Sequence, residues 1–112
     1  MKVSDLVKQL NLTVVSGEKG LDREVDGAYV SDLLSDVMGF AQENQVWITL
    51  QVHQNVMAIA SLKDLAAVIL VKGFEAAENT IRHSDDEQIP ILSTTLSTFE
   101  ITGKLYEILK NE

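Results

Sequence analysis

The chain has 112 residues, 46% hydrophobic and 23% charged, with one proline, six glycines and no cysteine. That length and balance predict a single globular domain over 1–112 with a core of its own. Seventeen acidic against nine basic residues leave a net charge of −8, which repels phosphate backbones and anionic lipid, so neither nucleic acid nor a membrane is an expected partner.

The lack of cysteine removes disulfides, thiolate catalysis and thiolate metal sites together. The opening MKVSDLVKQL carries Asp5, Lys8 and Gln9 where a secretion signal needs a continuous apolar stretch. The longest apolar run, LAAVILV at 65–71, is too short to span a bilayer. These features predict a soluble, cytoplasmic protein.

Helix and strand patterns alternate along the chain. Val3, Leu6, Val7 and Leu10 recur at helical spacing, with Ser4 as a candidate N-cap. LTVVSG (12–17) reads as a short strand, and REVDGAYV (23–30) as an irregular one with Gly27 as a candidate bulge. Ser31 or Asp32 is then placed to cap a helix whose stripe is Leu33, Leu34, Val37, Met38 and Ala41.

QVWITLQV (45–52) alternates, with Val46, Ile48, Leu50 and Val52 on one face and Trp47, Thr49 and Gln51 on the other. Trp47 therefore lies either under a helix or in an exposed patch. Helical spacing resumes through Val56, Ile59 and Ala60. AAVILV (66–71) is apolar on both faces, as a central parallel strand must be.

Gly73 ends that strand and FEAAENTIRHSDDE begins a helix, with Glu75 and Glu78 in the first turn and Glu78 at ion-pair spacing from Arg82. IPILS (89–93) is the last strand, where Pro90 suits a strand start or an edge. The final helix carries Ile101, Leu105, Ile108 and Leu109 on one stripe. This alternation predicts an α/β fold: a mostly parallel sheet of about five strands flanked by helices.

Two stretches carry a family resemblance. VSDLVKQLNLTVVSGEKGLDREVDGAYVSDLLSDVMGFA resembles the start of DRTGG domains and the amino-terminal domain of bacterial HPr kinase/phosphorylase, where a short helix, a strand and a G-L-D-R turn follow in this order. Here the turn is Gly20, Leu21, Asp22 and Arg23. AVILVKGFEAAENTIRHSDDEQIPILSTTLSTFEITGKLY is similar to the later half of the same domains, in which a strand ends in glycine and I-P-hydrophobic-hydrophobic-S/T-T leads into the last helix.

Family members often carry an aspartate about two residues beyond that threonine, where this chain has Leu96 and Ser97. The resemblance implies a regulatory or interaction module, self-associating as a homodimer, with protein partners such as CBS domains or a metabolic enzyme. The kinase activity of HPr kinase resides in a separate P-loop module, and this chain has no G-x-x-x-x-G-K-S/T.

Catalytic chemistry finds little support. Nucleophilic catalysis needs a base beside a hydroxyl, and only His53 and His83 offer one. His53 follows a strand and can reach a cleft, whereas His83 sits in the acidic stretch HSDDE, read as a solvent-facing helix end. The acidic set Asp22, Glu24, Asp26, Asp32 and Asp36 has no calcium-loop spacing, and GEKG and GFE are not dinucleotide or P-loop motifs. No metal and no cofactor are expected.

Ligands of open parallel sheets gather outside the carboxyl ends of the strands. That rule collects Ser31, Gln51, His53, Gly73, Ser93, Thr94 and Thr95 as candidate ligand-binding residues, with free helix N–H groups aimed at the same edge. A small anionic ligand or a nucleotide fits such a set. Capping of the last helix by Ser97 or Thr98, with Glu100 or Ile101 giving at best a partial capping box, accounts for some hydroxyls without a ligand.

Three functional readings stand. The first is a DRTGG-type regulatory or interaction module without catalysis of its own. The second is an enzyme or accessory subunit acting on phosphate or acyl-phosphate metabolites, with His53 as base. The third is a ligand-free structural adaptor.

Overall fold

The apolar run Leu65–Val71 is buried from end to end. The computed structural model, which describes all 112 residues, places β4 (Ala67–Leu70) from this run in the middle of a five-stranded sheet. The order is β1 (Thr13–Ser16), β5 (Ile91–Ser93), β4, β3 (Gln45–Thr49) and β2 (Gly27–Val30). Strands β2 to β5 are mutually parallel, while β1 runs antiparallel along β5.

Alternate residues feed two separate cores. Val46, Ile48, Ala67, Ile69 and Leu92 pack with α1 (Val3–Leu10) and α5 (Thr98–Lys110). Trp47, Val68, Leu70 and Ile91 pack on the opposite face, beneath α2 (Leu34–Phe40) and α3 (Asn55–Leu62). Trp47 is thus fully buried, and its indole N–H donates to the Ser31 carbonyl at 2.8 Å. The expected α/β class and single mostly parallel sheet are what the structure shows.

Helix α4 (Glu78–Glu87) completes that second layer. Its buried residues are Thr80 and Ser84. The Ser16 hydroxyl donates to the Ser84 hydroxyl at 2.8 Å, which donates to the Ile89 carbonyl at 2.6 Å, while Thr80 donates to the Val52 carbonyl at 2.9 Å. Internal hydrogen bonds of this kind offset the desolvation cost of burying polar side chains on a helix.

Several local expectations change. Ser4 is not the cap of α1; its N–H and that of Val3 are taken by the carbonyls of Leu21 and Arg23, at 2.9 and 3.0 Å. The free helix N-terminus is therefore satisfied by the G-L-D-R turn. Gly27 pairs in regular register with Gln45, and the sheet's irregularity falls instead in β1, between Val14 and Ser16. Pro90 does stand just before a strand, but β5 is interior rather than an edge.

Helix α4 begins at Glu78, so Glu75 lies in the loop before it; the Glu78–Arg82 pair forms at 3.3 Å. In the α2 segment Val37 and Ala41 are buried, but Leu33 and Met38 are exposed. Ser31 precedes α2 and accepts from the Leu33 N–H at 3.1 Å rather than capping the helix.

The G-L-D-R turn also docks on the end of α4. Arg23 Nε donates to the Gln88 carbonyl at 2.8 Å and its Nη1 meets Asp64 at 3.2 Å, so one guanidinium serves a helix C-terminus and a neighbouring loop. The backbones here touch. A Cβ at Gly17 would stand 2.5 Å from the Ile89 oxygen, and one at Gly20 would overlap the Gln88 oxygen.

Gly20→Ala should therefore destabilise the domain by about 1–3 kcal/mol through overpacking against backbone that cannot yield. A urea titration of both proteins measures this, and an unchanged midpoint would show that the turn is not closely seated.

Candidate functional site

Connections from β2 to β5 all cross the same face, through α2, α3 and α4, whereas the chain leaving β5 passes to the opposite face as α5. The exits of β4 and β5 therefore diverge, and a crevice opens at a point of this kind in α/β sheets. A cleft of about 550 Å³ lies there, bounded by Gly73 after β4, by Ser93, Thr94, Thr95 and Leu96 after β5, and by Lys104 of α5. Its far wall is Gln9, Leu10, Asn11 and Thr13, because Thr13 pairs directly with Ser93.

The structure thus brings together Gly73, Ser93, Thr94 and Thr95. It does not bring Ser31, Gln51 or His53 to this cleft. Ser31 turns the chain into α2 and receives the Trp47 indole on its carbonyl. Gln51 donates from its side chain to the Asp32 carbonyl at 2.8 Å. Asp32 in turn accepts from Thr49 Oγ1 at 2.8 Å and from the Leu50 N–H at 2.9 Å. These residues tie the β2–α2 loop to the end of β3. His53 is exposed and has no side-chain hydrogen bond.

His83 differs from its sequence reading as well. Its side chain is only 25% exposed, and Nδ1 is buried without a partner, 4.0 Å separating Nε2 from Glu87. No group of three or more His, Asp or Glu side chains is close enough to hold a metal ion.

The cleft's own hydrogen bonding defines what it can offer. Gly73 is needed for its backbone angle, φ 72°, rather than for space, since a Cβ there meets nothing within 4 Å. Its N–H donates to the Thr94 carbonyl and that of Lys72 to the Leu96 carbonyl, both at 2.9 Å. These two bonds lock the β4 and β5 loops together and hold Lys72 at φ 59°, a left-handed conformation that lysine rarely adopts.

Thr94 Oγ1 accepts from the Leu96 N–H at 3.2 Å. The hydroxyls of Thr13, Ser93 and Thr95 and the Thr95 N–H have no partner within the chain. Helix N-termini contribute less than expected: α4 starts five residues beyond Gly73, and the first turn of α5 is closed on itself.

That closure is a complete capping box. Ser97 Oγ accepts from the Glu100 N–H at 3.2 Å, and Glu100 accepts from the Ser97 N–H at 3.4 Å.

Sequence reasoning missed Lys104, Gln9, Asn11 and Thr13. Asn11 carried a usable signal: an asparagine after the last helical leucine suits the left-handed C-cap, and it adopts φ 53°. Lys104 gave none, being one polar residue beside an apolar stripe. The cleft has one further property that only the assembled structure reveals. Its ten lining residues include one lysine and no carboxylate, in a chain with seventeen acids.

Fold and cleft together define a small α/β module with a single sheet and a polar crevice beside its last parallel strand. The chain belongs to the DRTGG domain family, whose model matches residues 5–108. It is similar to HPr kinase/phosphorylase of Shouchella clausii (strain KSM-K16), with 23% identity over 97% of this chain and 40% of that protein. Among solved structures it is similar to the CBS and DRTGG domains of the regulatory region of Clostridium perfringens pyrophosphatase, complexed with the activator diadenosine tetraphosphate.

That structural likeness has a TM-score of 0.70 at 12% identity, over 90% of this chain and 44% of the other. It establishes the shared fold. The chain spans less than half the length of either protein.

The capping account predicts that Ser97→Ala costs about 1 kcal/mol of stability while Ser97→Asp costs little. Chemical denaturation of the two variants checks this. An alanine variant as stable as the parent would release Ser97 from the cap.

Proposed function

We propose that this protein is a regulatory module of the cytoplasm that binds a small phosphate-bearing anion in the cleft around Ser93, Thr94, Thr95, Gly73 and Lys104, and that it works as a homodimer without catalysis of its own. The carrying observation is the cleft's composition: unpaired hydroxyls, an unpaired N–H and a lysine, with no carboxylate. Lysine and oriented hydroxyl or amide donors are what an anion requires. The fold neighbour's regulatory region takes a phosphate-rich activator, which supports a sensing role here.

An enzyme reading through His53 finds less support, since that side chain lies outside the cleft and has no hydroxyl within hydrogen-bonding reach. Ser31 and Gln51 likewise have a structural occupation.

Self-association rests on a different surface. Between the free edge of β2 and helix α5 runs an apolar groove of about 380 Å³ that includes Ala28, Val30, Ile48, Leu105 and Leu109. Val30, Tyr106 and Phe99 stand out around it, 42%, 65% and 86% exposed. The β1 edge is interrupted by a bulge, but β2 is regular, and a regular open edge beside apolar surface is one that a second chain covers. An adaptor that binds no ligand would keep this groove and leave the cleft empty.

Thermal-shift and calorimetric titrations with inorganic phosphate, acetyl phosphate, AMP and ATP test the cleft. At a hundred times its dissociation constant a true ligand adds about 2.7 kcal/mol of stability. Thr95→Ala and Lys104→Ala should each abolish the shift, and His53→Ala should leave it intact. Silence across the panel would favour the adaptor.

For the dimer, Phe99→Asp together with Tyr106→Asp should yield a monomer in analytical ultracentrifugation with an unchanged circular dichroism spectrum. A parent protein that is monomeric at high concentration would refute self-association.

A further inference from the structure

The wall opposite the hydroxyl turn narrows the class of anion. Gln9 and Asn11 are both exposed at the rim of the cleft, and neither side-chain amide is engaged within the chain. With Thr13 they present two carboxamides and a hydroxyl facing the space beside Ser93 and Thr95. Each amide offers two donors and an acceptor, and each hydroxyl both functions. Such a wall matches a ligand that carries its own hydroxyl groups.

The same lining offers nothing on which a nucleobase could stack. No aromatic residue lines the cleft. Its two apolar members are Leu10, which is 9% exposed and belongs to the core, and Leu96, which packs against that core. Ligand sites that hold flat apolar groups are lined mainly by hydrophobic and aromatic side chains; here eight of ten lining residues are polar or glycine. The volume of about 550 Å³ accommodates more than inorganic phosphate.

From these features we infer that the cleft takes a polyhydroxylated phosphate ester, of the sugar-phosphate type, rather than a nucleotide. The phosphate would lie toward Lys104, Ser93 and both the hydroxyl and the N–H of Thr95, and the polyol toward Gln9, Asn11 and Thr13. This inference rests on the anion reading above and sharpens it.

Isothermal titration with four probes separates the parts: inorganic phosphate, glucose 6-phosphate, ribose 5-phosphate and AMP. The last two differ chiefly by the base, so their comparison isolates its contribution. The expected result is that one or both sugar phosphates bind at least tenfold tighter than inorganic phosphate, with AMP no tighter than ribose 5-phosphate. AMP binding tenfold or more above ribose 5-phosphate would overturn the inference and leave the anion reading standing. Equal binding of phosphate and both sugar phosphates would also overturn it. No binding of any probe would overturn both.

A double variant, Gln9→Ala with Asn11→Gly, supplies the second check. Glycine keeps the left-handed conformation that Asn11 adopts, so the helix end survives. The variant should lower sugar-phosphate affinity to that of inorganic phosphate and leave inorganic phosphate binding unchanged. Retained sugar-phosphate affinity would overturn the assignment of the polyol to this wall.

Discussion

Strand β4 presents no polar side chain to either side of the sheet, and this one constraint organises the molecule. A strand buried on both faces needs a helical layer above and another below, and it needs hydrogen-bonded neighbours on both edges. β3 and β5 supply the edges. The layers are supplied by two cores that meet only through the sheet. Everything that positions the cleft follows from how the chain fills them.

Filling the layers fixes where the chain changes sides. Three successive crossovers keep to one face, so α5 must cover the other with α1. The crevice lies where that change occurs, beside β5, and the antiparallel β1 closes its far side with residues from the end of α1. Hence the cleft is assembled from the two ends of the domain and its middle loop, residues 9–11, 13, 73, 93–96 and 104. Residues near the β3 exit have other duties: Asp32, Thr49 and Gln51 satisfy one another's polar groups, and they tie down the loop whose Ser31 carbonyl accepts from the Trp47 indole.

Much of this was legible in the sequence, for physical reasons. The uniform apolar run of β4 and the alternation of β3 each permit only one burial pattern, so the class, a mostly parallel sheet and most element positions could be read directly, whereas the antiparallel course of β1 could not. Gly73 and Ser93–Thr95 could be placed at the strand exits because strand ends are visible as breaks in hydrophobicity. Ser31, Gln51 and His53 were gathered by the same rule, which places residues along an edge but cannot say which hydrogen bonds claim them. Helix α4 was hardest to delimit, because its buried face is Thr80 and Ser84, hydroxyls satisfied by partners 28 and 68 residues away. The close seating of Gly17 and Gly20 on residues 88–90 was equally invisible, being a property of two backbones in contact.

Helix α5 belongs to both surfaces described above. Over thirteen residues it carries Lys104 to the cleft and Phe99, Thr102 and Tyr106 to the groove along β2. A packed helix shifts as a rod rather than residue by residue, so whatever seats it from one side alters its seating for the other. Were the proposed ligand and a second copy of the chain both to seat it, linkage would run both ways, each strengthening the other by the same factor. Such a module would report on two concentrations at once, that of its ligand and its own.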